Sequence, residues 1–370
     1  MGSRDLVHTR AFVAVLLAIM VTAACTGPQA APSASTGQVA GVLSGQARCD
    51  ANKAAGKITF LTGFGFFPSV SVLDVIAAKQ QGYFDAMCLD VDIQPSIPGE
   101  SMVLVSSNTV QFAANSFGSI ARGVAQGATV KAVVNYGNLP IHTLIVLADS
   151  PIQKLADFRG KTIGSTGGTT GGPNQAQLRT AGLTVEKDYK QIAIGFDSTL
   201  ITRPGIDAIE GFRSNQPDLL ERAGLKIRQF LPEDAGVVST FGSIIVSNEF
   251  AAKHPAAVED FIRADKMGWD WALAHSKEAL DMSQKLTQGN FDRAHEEFRW
   301  KTESDLAVKS TPAGQPAGRV IRDNVAKEIA VYVQLGLIPI MDVNTLFDNQ
   351  YFDAVHKDGK VVWPGPMGTR

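Results

Sequence analysis

Short apolar strand-like segments that alternate with helix-like segments are the feature that most constrains the fold of this chain. The strand patterns lie at residues 58–62, 89–93, 110–114, 130–136, 161–163, 191–194, 206–209, 225–230 and 243–247. Helical patterns separate several of them, such as residues 70–80, which end just before Gly82. This alternation predicts βαβ units and parallel sheets, and therefore an α/β fold.

The alternation forms two blocks, joined by crossing segments around residues 141–147 and 241–247, and helical patterns dominate from Asn248 onward. We therefore expect two lobes and a helical C-terminal part. The predicted first lobe comprises residues 57–142 with 243–370, and the second comprises residues 143–242. Because ligands of open α/β sheets bind beyond the carboxyl ends of the strands, a cleft between the lobes is the expected binding site.

The first 24 residues have the pattern of a secretory signal. An uncharged apolar run over residues 11–24 is too short for a membrane span of ~20 residues but fits the core of a signal peptide. The run Val21-Thr22-Ala23-Ala24-Cys25 resembles the lipobox of bacterial lipoproteins and predicts a lipid on Cys25; ordinary cleavage near Ala24 is the alternative. The Ala-, Ser-, Pro- and Gly-rich sequence that follows predicts an anchor and flexible tether over residues 25–56.

Charge and cysteine content exclude several classes of protein. A formal net charge of −2 argues against a nucleic-acid-binding protein. No Cys/His spacing is typical of a metal site, and we expect no metal or cofactor. The remaining pair, Cys49 and Cys88, predicts a disulfide in an exported protein. The two cysteines precede the first and second strands, whose starts lie at one sheet edge if the strands are parallel and adjacent.

Several stretches resemble, in order and spacing, the solute-binding proteins of ABC importers for alkanesulfonates, nitrate and thiamine pyrimidine precursors. They extend over residues 57–352 and include Gly82-Tyr83-Phe84-Asp85, Leu89-Asp90-Val91, residues 155–164, Ile206-Asp207-Ala208, residues 232–237 and residues 336–338. The resemblance implies a type II periplasmic-binding-protein fold. It also implies a separate permease and ATPase as partners. Together with the signal pattern at the N-terminus, it leads us to expect an extracytoplasmic protein that captures a solute without catalysis and is monomeric.

A glycine-rich loop over residues 164–172 follows a predicted strand and precedes a helix. Such a loop presents backbone N–H groups, and the helix dipole favours an anion there. The residues expected to contact solute are Ser165, Thr166, Gly168, Thr169 and Thr170. A mobile loop tip is the alternative, and the missing Gly-Lys-Ser/Thr ending excludes a P-loop.

Aromatic residues lie at or just beyond the ends of predicted strands: Phe64, Phe66, Phe67, Phe117, Tyr136, Phe196, Phe212 and Phe241. Rings in these places favour a flat aromatic solute that stacks between them. For any single ring, packing inside a lobe is an equal alternative. Together they favour an aromatic heterocycle, such as a pyrimidine, over nitrate.

Polar residues near the same strand ends are candidates for specific contacts: Asn115, Ser116, Asn138, Asp197, Asn215 and Asp234. A buried amide or carboxylate specifies a ligand because leaving it unpaired costs ~1–3 kcal/mol. Asp234 serves equally well as a brace for the returning crossing segment. His142 and His254 have no triad-like or metal-like neighbours and are interpreted as structural.

The solute class and two other functions stay open at this stage. A flavin-like ring, an alkanesulfonate or another small anion are alternatives to a pyrimidine. The resembled family also includes a pyrimidine-synthesis enzyme with cysteine- and histidine-containing motifs, which this chain lacks. A tethered adhesin or sensor would not need two lobes around a cleft.

Replacing Cys25 tests the prediction that this residue carries a lipid. We expect Cys25→Ser to move the mature protein from the membrane fraction to the soluble fraction, because the thioether to lipid can no longer form. Fractionation followed by immunoblotting measures this. A variant that stays with the membrane contradicts the prediction.

Overall fold

The computed structural model describes residues 45–96, 99–166, 171–287 and 289–363. The predicted signal sequence, Cys25 and the loop residues 167–170 lie outside these ranges. The strands of the described residues are β1 Lys57–Leu61, β2 Asp90–Gln94, β3 Phe112–Asn115, β4 Val130–Gly137, β5 His142–Leu147, β6 Thr162–Ser165, β7 Lys190–Ala193, β8 Ala208–Phe212, β9 Ile227–Phe230, β10 Phe241–Ser247, β11 His356–Lys357 and β12 Lys360–Val361.

Two five-stranded sheets form the centre of the described structure. The first sheet has the order β2-β1-β3-β10-β4, and the second has the order β7-β6-β8-β5-β9. The chain passes from β4 of the first sheet into β5 of the second, and returns from β9 into β10. The prediction of an α/β fold with two sheets is thereby confirmed.

The sheets are mixed, whereas the sequence predicts parallel ones. Strands β1, β2 and β3 are parallel, as are β6, β7 and β8. Strand β10 is antiparallel to β3 and β4, and β5 is antiparallel to β8 and β9. The reason is that β5 and β10 each follow a direct crossing between the sheets, so they enter from the opposite end without a helical crossover.

Helices cover the faces of both sheets and form the C-terminal part. They are α1 Gly45–Lys53, α2 Leu73–Gln80, α3 Tyr83–Ala86, α4 Glu100–Ser106, α5 Phe117–Ala125, α6 Gly172–Thr180, α7 Gln216–Arg222, α8 Asn248–Lys253, α9 Pro255–Ala274, α10 Ser276–Leu286, α11 Arg293–Ser310, α12 Arg322–Gln334 and α13 Gln350–Ala354. Short 3₁₀ helices lie at Leu155–Phe158, Ser198–Thr202, Pro232–Ala235 and Val343–Thr345.

The largest core lies between the first sheet and helices α2 and α9. Phe112 stacks on Phe261 with ring centroids 4.0 Å apart, and Phe84 packs against the same ring. Helix α9 crosses α2 closely because Gly268 carries no side chain. A carbon there would collide with the carbonyl oxygen of Asp74. The apolar core on the first sheet is therefore larger than either core on the second sheet.

The described chain begins with a helix inside the segment predicted to be tether. In α1, Arg48 is buried and its Nε lies 2.6 Å from the Asp260 carboxylate of α9. Cys49 and Cys88 form a disulfide, so α1 is also bonded to the segment between α3 and β2. The prediction of a tether over residues 25–56 is therefore wrong for its last part. The sequence pattern does not reveal this helix, because ion pairs of Arg48, hydrogen bonds of Asn52 and a disulfide attach it, and it has almost no apolar stripe.

None of the helices in the described ranges is long and apolar enough to cross a lipid bilayer.

Removing the disulfide tests how firmly α1 is attached. We expect Cys49→Ala/Cys88→Ala to lower the free energy of unfolding by about 4 kcal/mol, because the bond closes a long loop in the unfolded chain. The two residues are 39 apart in sequence. Urea unfolding followed by tryptophan fluorescence measures the change, and reduced wild-type protein is the matched control. Equal midpoints for oxidised wild type and the double variant would contradict the prediction.

Candidate functional site

Tyr332 of helix α12 lies against helices that follow strands of both sheets, and we call this place the junction between the sheets. A side-chain carbon at Gly118, near the start of α5, would collide with the Tyr332 hydroxyl. A carbon at Gly172, the first residue of α6, would lie 2.6 Å from Tyr332 Cζ. Helix α5 follows β3 of the first sheet, and α6 follows β6 of the second. The N-termini of two helices from different sheets therefore converge on one phenol ring.

Backbone N–H groups at helix N-termini are donors that lack partners within the helix. Helix α5 begins after Ser116, whose side chain accepts a hydrogen bond from the Ser119 N–H. Helix α6 begins after Gly171, which offers no side-chain cap. The positive ends of both helix dipoles point toward the junction between the sheets, which favours electron-rich or anionic groups there.

A buried carboxylate occupies the start of α6. Glu210 of β8 accepts hydrogen bonds from the Gly171 N–H and from Asn174 Nδ2, the second at 3.1 Å. Burial raises the pKa of Glu210 to about 7, although both hydrogen bonds oppose the shift. The carboxyl therefore exchanges its proton near neutral pH.

His142 is adjacent to this carboxylate. A carbon at Gly171 would lie 3.0 Å from its Cδ2, and its ring lies 5.1 Å from that of Phe212. Burial lowers the pKa of His142 to about 4, with a smaller effect from the charge of Arg122. The imidazole is therefore neutral at pH 7. Its Nδ1 is buried without a hydrogen-bond partner among the described residues.

A second buried carboxylate attaches α12 to the returning crossing segment. Glu328 accepts hydrogen bonds from the Thr240 N–H at 2.9 Å and the Thr240 hydroxyl at 2.6 Å. Burial raises the pKa of Glu328 to about 7. Tyr332 lies one turn further along α12. Arg122 of α5 lies over its ring, 5.6 Å from the centroid. These contacts fix Tyr332 relative to the first sheet.

Helix α11 makes a separate polar contact with the second sheet. His295 lies between Asp218 Oδ2 at 2.7 Å and Asn215 Oδ1 at 2.9 Å, both on or next to α7. Glu303 accepts hydrogen bonds from the Ser214 hydroxyl at 2.8 Å and from the Val70 N–H at 2.9 Å. One side chain of α11 therefore joins the segment before α2 to the loop after β8.

Three of the predicted rings are accessible in this structure. Phe64, in the loop after β1, is 60% exposed, and Phe196, after β7, is 85% exposed. Phe212, at the end of β8, is 38% exposed. Phe66 and Phe67 are half-buried, and Arg299 lies 5.5 Å above the Phe67 ring. Large exposed apolar side chains are thus present in the loops at the strand ends of both sheets.

Three other predicted rings pack inside the protein. Phe117 is fully buried and meets Phe347 edge-on, because the first residue of α5 points into the core beneath the helix. Tyr136 is fully buried, stacks on Trp269 at 4.4 Å and donates its hydroxyl to Asp265. Phe241 is buried against Gly137. The expectation that these rings contact solute is corrected by their burial.

The predicted polar residues have different roles. Asn115 Oδ1 accepts from the Ser116 N–H, and its Nδ2 donates to Ser101. Asn138 is buried in the first crossing, where its N–H donates to Ser310. Asn215 Oδ1 lies within hydrogen-bond distance of His295 Nε2, at 2.9 Å. Local turns account for Asp197, which caps a 3₁₀ helix through Thr199, and Asp234 is exposed in the second crossing.

The end of β6 supplies two of the predicted loop residues. Ser165 is buried and its hydroxyl has no partner among the described residues, whereas Thr166 is exposed. Thr62, just after β1, also has a buried hydroxyl without a partner among the described residues. Gly168, Thr169 and Thr170 lie outside the described residues.

Sequence reasoning missed Tyr332, Arg122, Glu328 and Glu210, and it assigned His142 only a structural role. Glu210 carries a usable signal, since a carboxylate inside an apolar strand is rare without a partner. Tyr332 carries none, because it is one residue of an amphipathic helix far along the chain. Among the described residues, no group of three or more His, Cys, Asp or Glu could hold a metal ion.

The model of the NMT1/THI5-like family matches residues 70–279. A putative thiamine biosynthesis protein of Haemophilus influenzae is 26% identical over 234 residues, which cover 61% of this chain and 73% of that protein. The riboflavin-binding protein RibY of Chloroflexus aurantiacus is 26% identical over 280 residues, covering 73% and 75%. A 4-amino-5-hydroxymethyl-2-methylpyrimidine phosphate synthase of Candida albicans is 28% identical over 238 residues, covering 60% and 69%.

Solved structures share the fold at low sequence identity. A putative periplasmic sulfonate-binding protein, SsuA of Methylobacillus flagellatus, superposes with a TM-score of 0.60 at 15% identity, over 80% of this chain and 93% of that one. A Candida albicans protein described as having the generic periplasmic-binding-protein fold superposes with a TM-score of 0.54 at 16% identity, covering 84% and 99%. The predicted periplasmic-binding-protein fold is confirmed.

The raised pKa of Glu210 predicts a pH-dependent stability. A folded-state pKa of about 7, above the ordinary 4.5, means that the folded protein holds a proton that the unfolded chain releases between these values. The stabilisation from this group is complete below pH ~4.5 and is lost as pH rises to ~7, by up to ~3 kcal/mol. Glu210→Gln should flatten this part of the profile.

Urea unfolding of wild type and Glu210→Gln at pH 5 and pH 8 measures the difference. Glu221→Gln, at an exposed position on neighbouring α7, is the matched control and should follow the wild-type profile. The prediction is wrong if wild type and Glu210→Gln lose the same free energy of unfolding between the two pH values.

Proposed function

Because the chain belongs to the NMT1/THI5-like family, we propose that it is the extracytoplasmic solute-binding component of an ABC-type importer. It captures a small molecule between its two sheets and catalyses no reaction. A permease and an ATPase on separate chains receive the solute from it. The protein acts as a monomer held at the membrane by a lipid on Cys25.

The convergence of α5 and α6 on Tyr332 is the observation that carries this proposal. Helix N-termini from both sheets offer donors that a bound solute can use. The hydroxyls of Thr62 and Ser165, which have no partner among the described residues, add further donors and acceptors. A ligand favours a closed form of the protein only if it contacts both lobes. Contacts from the loops after β1 and β3 and from those after β6 and β8 meet this requirement.

We assign the solute to the flat aromatic heterocycles, of which a pyrimidine is one example. The exposed rings of Phe64, Phe196 and Phe212 supply stacking surfaces on both sheets. Their position supports a planar solute over a compact anion. The name of the riboflavin-binding relative points the same way. The alternative is an alkanesulfonate or another small anion, which the two helix N-termini favour.

The same proposal defines the two lobes that move relative to each other. Residues 57–142 with 243–370 form one lobe, and residues 143–242 form the other. They hinge at the two crossing segments, with Glu328 and Asn138 bracing the crossings. The polar contacts of α11 with Asn215 and Ser214 stabilise the arrangement in which the lobes are together.

An enzyme related to pyrimidine synthesis is the second candidate, favoured by relatives named as synthases. In this chain Cys49 and Cys88 are joined in a disulfide, so neither offers a thiol for chemistry. A turnover assay with a pyrimidine product readout separates the two functions. Measurable turnover by the purified protein would overturn the binding-only proposal.

A pair of Phe→Ala variants tests the location of the site. We expect Phe196→Ala to leave stability unchanged and to weaken solute binding about tenfold, because a stacking surface is lost. We expect Phe117→Ala to lower the free energy of unfolding by ~3–5 kcal/mol, since it leaves a cavity in the core. Its effect on affinity should be small wherever the variant is folded.

Isothermal calorimetry with riboflavin, a thiamine pyrimidine precursor and an alkanesulfonate measures affinity, and urea unfolding measures stability. Ile340→Ala, at another exposed apolar position, is the control for general surface effects. Tight binding of any of these solutes that Phe196→Ala leaves unchanged would contradict the aromatic contact. Tight binding of the alkanesulfonate alone would contradict the assigned solute class.

A further inference from the structure

Helix α11 contacts two of the loops that the proposed function assigns to the solute site. The guanidinium of Arg299 lies 5.5 Å from the centroid of the Phe67 ring, in the loop after β1. His295 of the same helix lies against Asn215, in the loop after β8. In the proposed division of the chain, α11 belongs to the first lobe and Asn215 to the second. The contact made by His295 therefore joins the lobes next to the proposed solute site.

Both ring nitrogens of His295 face oxygen atoms of the second lobe. The side chain is buried, with Nδ1 at 2.7 Å from Asp218 Oδ2 and Nε2 at 2.9 Å from Asn215 Oδ1. A neutral imidazole has one N–H donor and one lone pair, whereas the imidazolium has two donors. Either neutral tautomer would therefore place a nitrogen lone pair against an oxygen lone pair in a buried site, which is costly. The imidazolium alone donates to both oxygens.

The orientation of the Asn215 amide is fixed by a second contact. Arg299 Nη2 lies 3.1 Å from Asn215 Oδ1, and a guanidinium can only donate. Turning the amide over would place its NH₂ group against the guanidinium, donor against donor. Arg299 Nη2 also lies 3.2 Å from His295 Nε2, but a lone pair on Nε2 would still face the closer oxygen of Asn215. The amide oxygen therefore requires a proton on Nε2.

The charges around the ring favour the same form. Among the described residues, the charged groups beside His295 lie on α7, on α11 or just before α11: Asp218, Arg222, Asp292, Glu296 and Arg299. Each of the two guanidinium groups forms an ion pair at 2.7 Å with a carboxylate of its own helix. The third carboxylate, Asp292, accepts the backbone N–H of His295 at 3.2 Å. A proton on the imidazole therefore brings this cluster to zero net charge.

We propose that His295 is a positioning residue for solute capture, which joins the two lobes as an imidazolium and releases its proton when they separate. The inference rests on the proposed function, because the solute is captured when the lobes close. When the lobes part, Asp218 and Asn215 leave the ring, and water can accept the proton.

Closure of the lobes therefore takes up a proton. The closed form, and with it the affinity for solute, is favoured as pH falls and is weakened as pH rises. Histidine side chains ordinarily exchange this proton between pH ~5 and 8. Burial also raises the pKa of Glu303, further along α11, so its protonation in the closed form acts in the same direction.

Nitrogen-15 NMR of the purified protein with labelled histidine tests the charge of the ring without any solute. The chain has six histidines, and the signal that is lost in His295→Gln identifies His295. At pH 7 both ring nitrogens of His295 should have the chemical shifts of protonated nitrogens. The shifts of a neutral tautomer at pH 7 would overturn the proposal.

Small-angle X-ray scattering at pH 5.5 and pH 8.5 measures the separation of the lobes, again without solute. Wild type should have the smaller radius of gyration at pH 5.5. The change should be reduced in His295→Gln and in Asp218→Asn, which keeps the shape of the side chain but removes the carboxylate. His275→Gln, at an exposed position after α9, is the matched control and should behave like wild type.

The comparison with wild type is decisive because Glu210 and Glu328 also titrate in this pH range. Asp218→Asn decides the question if His295→Gln fails to fold. An equal change in radius of gyration in wild type and in the folded variants would overturn the proposal, as would a wild type that expands at pH 5.5.

Calorimetry with riboflavin connects the proton to the solute. Wild-type affinity should fall about tenfold or more between pH 5.5 and pH 8.5, because one proton is taken up on closure. His295→Gln should show a smaller fall, and His275→Gln the same fall as wild type. Riboflavin that binds wild type equally at both pH values would overturn the proposal. Failure of riboflavin to bind at either pH contradicts only the assigned solute class, and NMR and scattering then decide the role of His295.

Discussion

The close approach of Tyr332 to Gly118 and Gly172 sets the geometry of the junction between the sheets. Only glycine permits a phenol ring at either position, because any side chain would occupy the same space. The two helix N-termini can therefore come together around a single aromatic residue. Helix α12 keeps this position because Glu328 binds Thr240 through the backbone and the hydroxyl. The relation between the two sheets thus depends on a helix from the C-terminal part of the chain.

Much of the fold could be predicted from local patterns, since strands such as β4 and β10 are largely apolar runs that end at polar or glycine residues. The direction in which each strand enters its sheet could not be predicted. The sequence around residues 142–147 is apolar in the same way as that of a parallel strand, and nothing local shows that it enters the sheet from the opposite end. Helix α1 was hidden for another reason, because its attachment depends on Asp260 and Cys88, which are distant in sequence.

The candidate site shows where local patterns fail. A ring just after a strand is easy to find, but whether it points into the core or toward solvent depends on the first turn of the next helix. Phe117 and Phe196 illustrate this, since both follow strands and one is fully buried while the other is 85% exposed. Strand-end polar residues such as Asn115 could be predicted. Tyr332 and Glu328 could not, because their partners come from segments about 90 to 215 residues earlier.

The order of the strands makes the second sheet an insertion into the first. The chain leaves through β4 and returns through β10, which are neighbours, and it enters through β5 and exits through β9, which are also neighbours. Residues 142–230 therefore begin and end on adjacent strands, without threading through the rest of the fold. A segment with this topology can diverge, exchange between homologous chains or change its binding surface while the first sheet, α9 and the disulfide stay the same. New specificity in such a scaffold then depends on keeping the contacts that α11 and α12 make with the inserted segment.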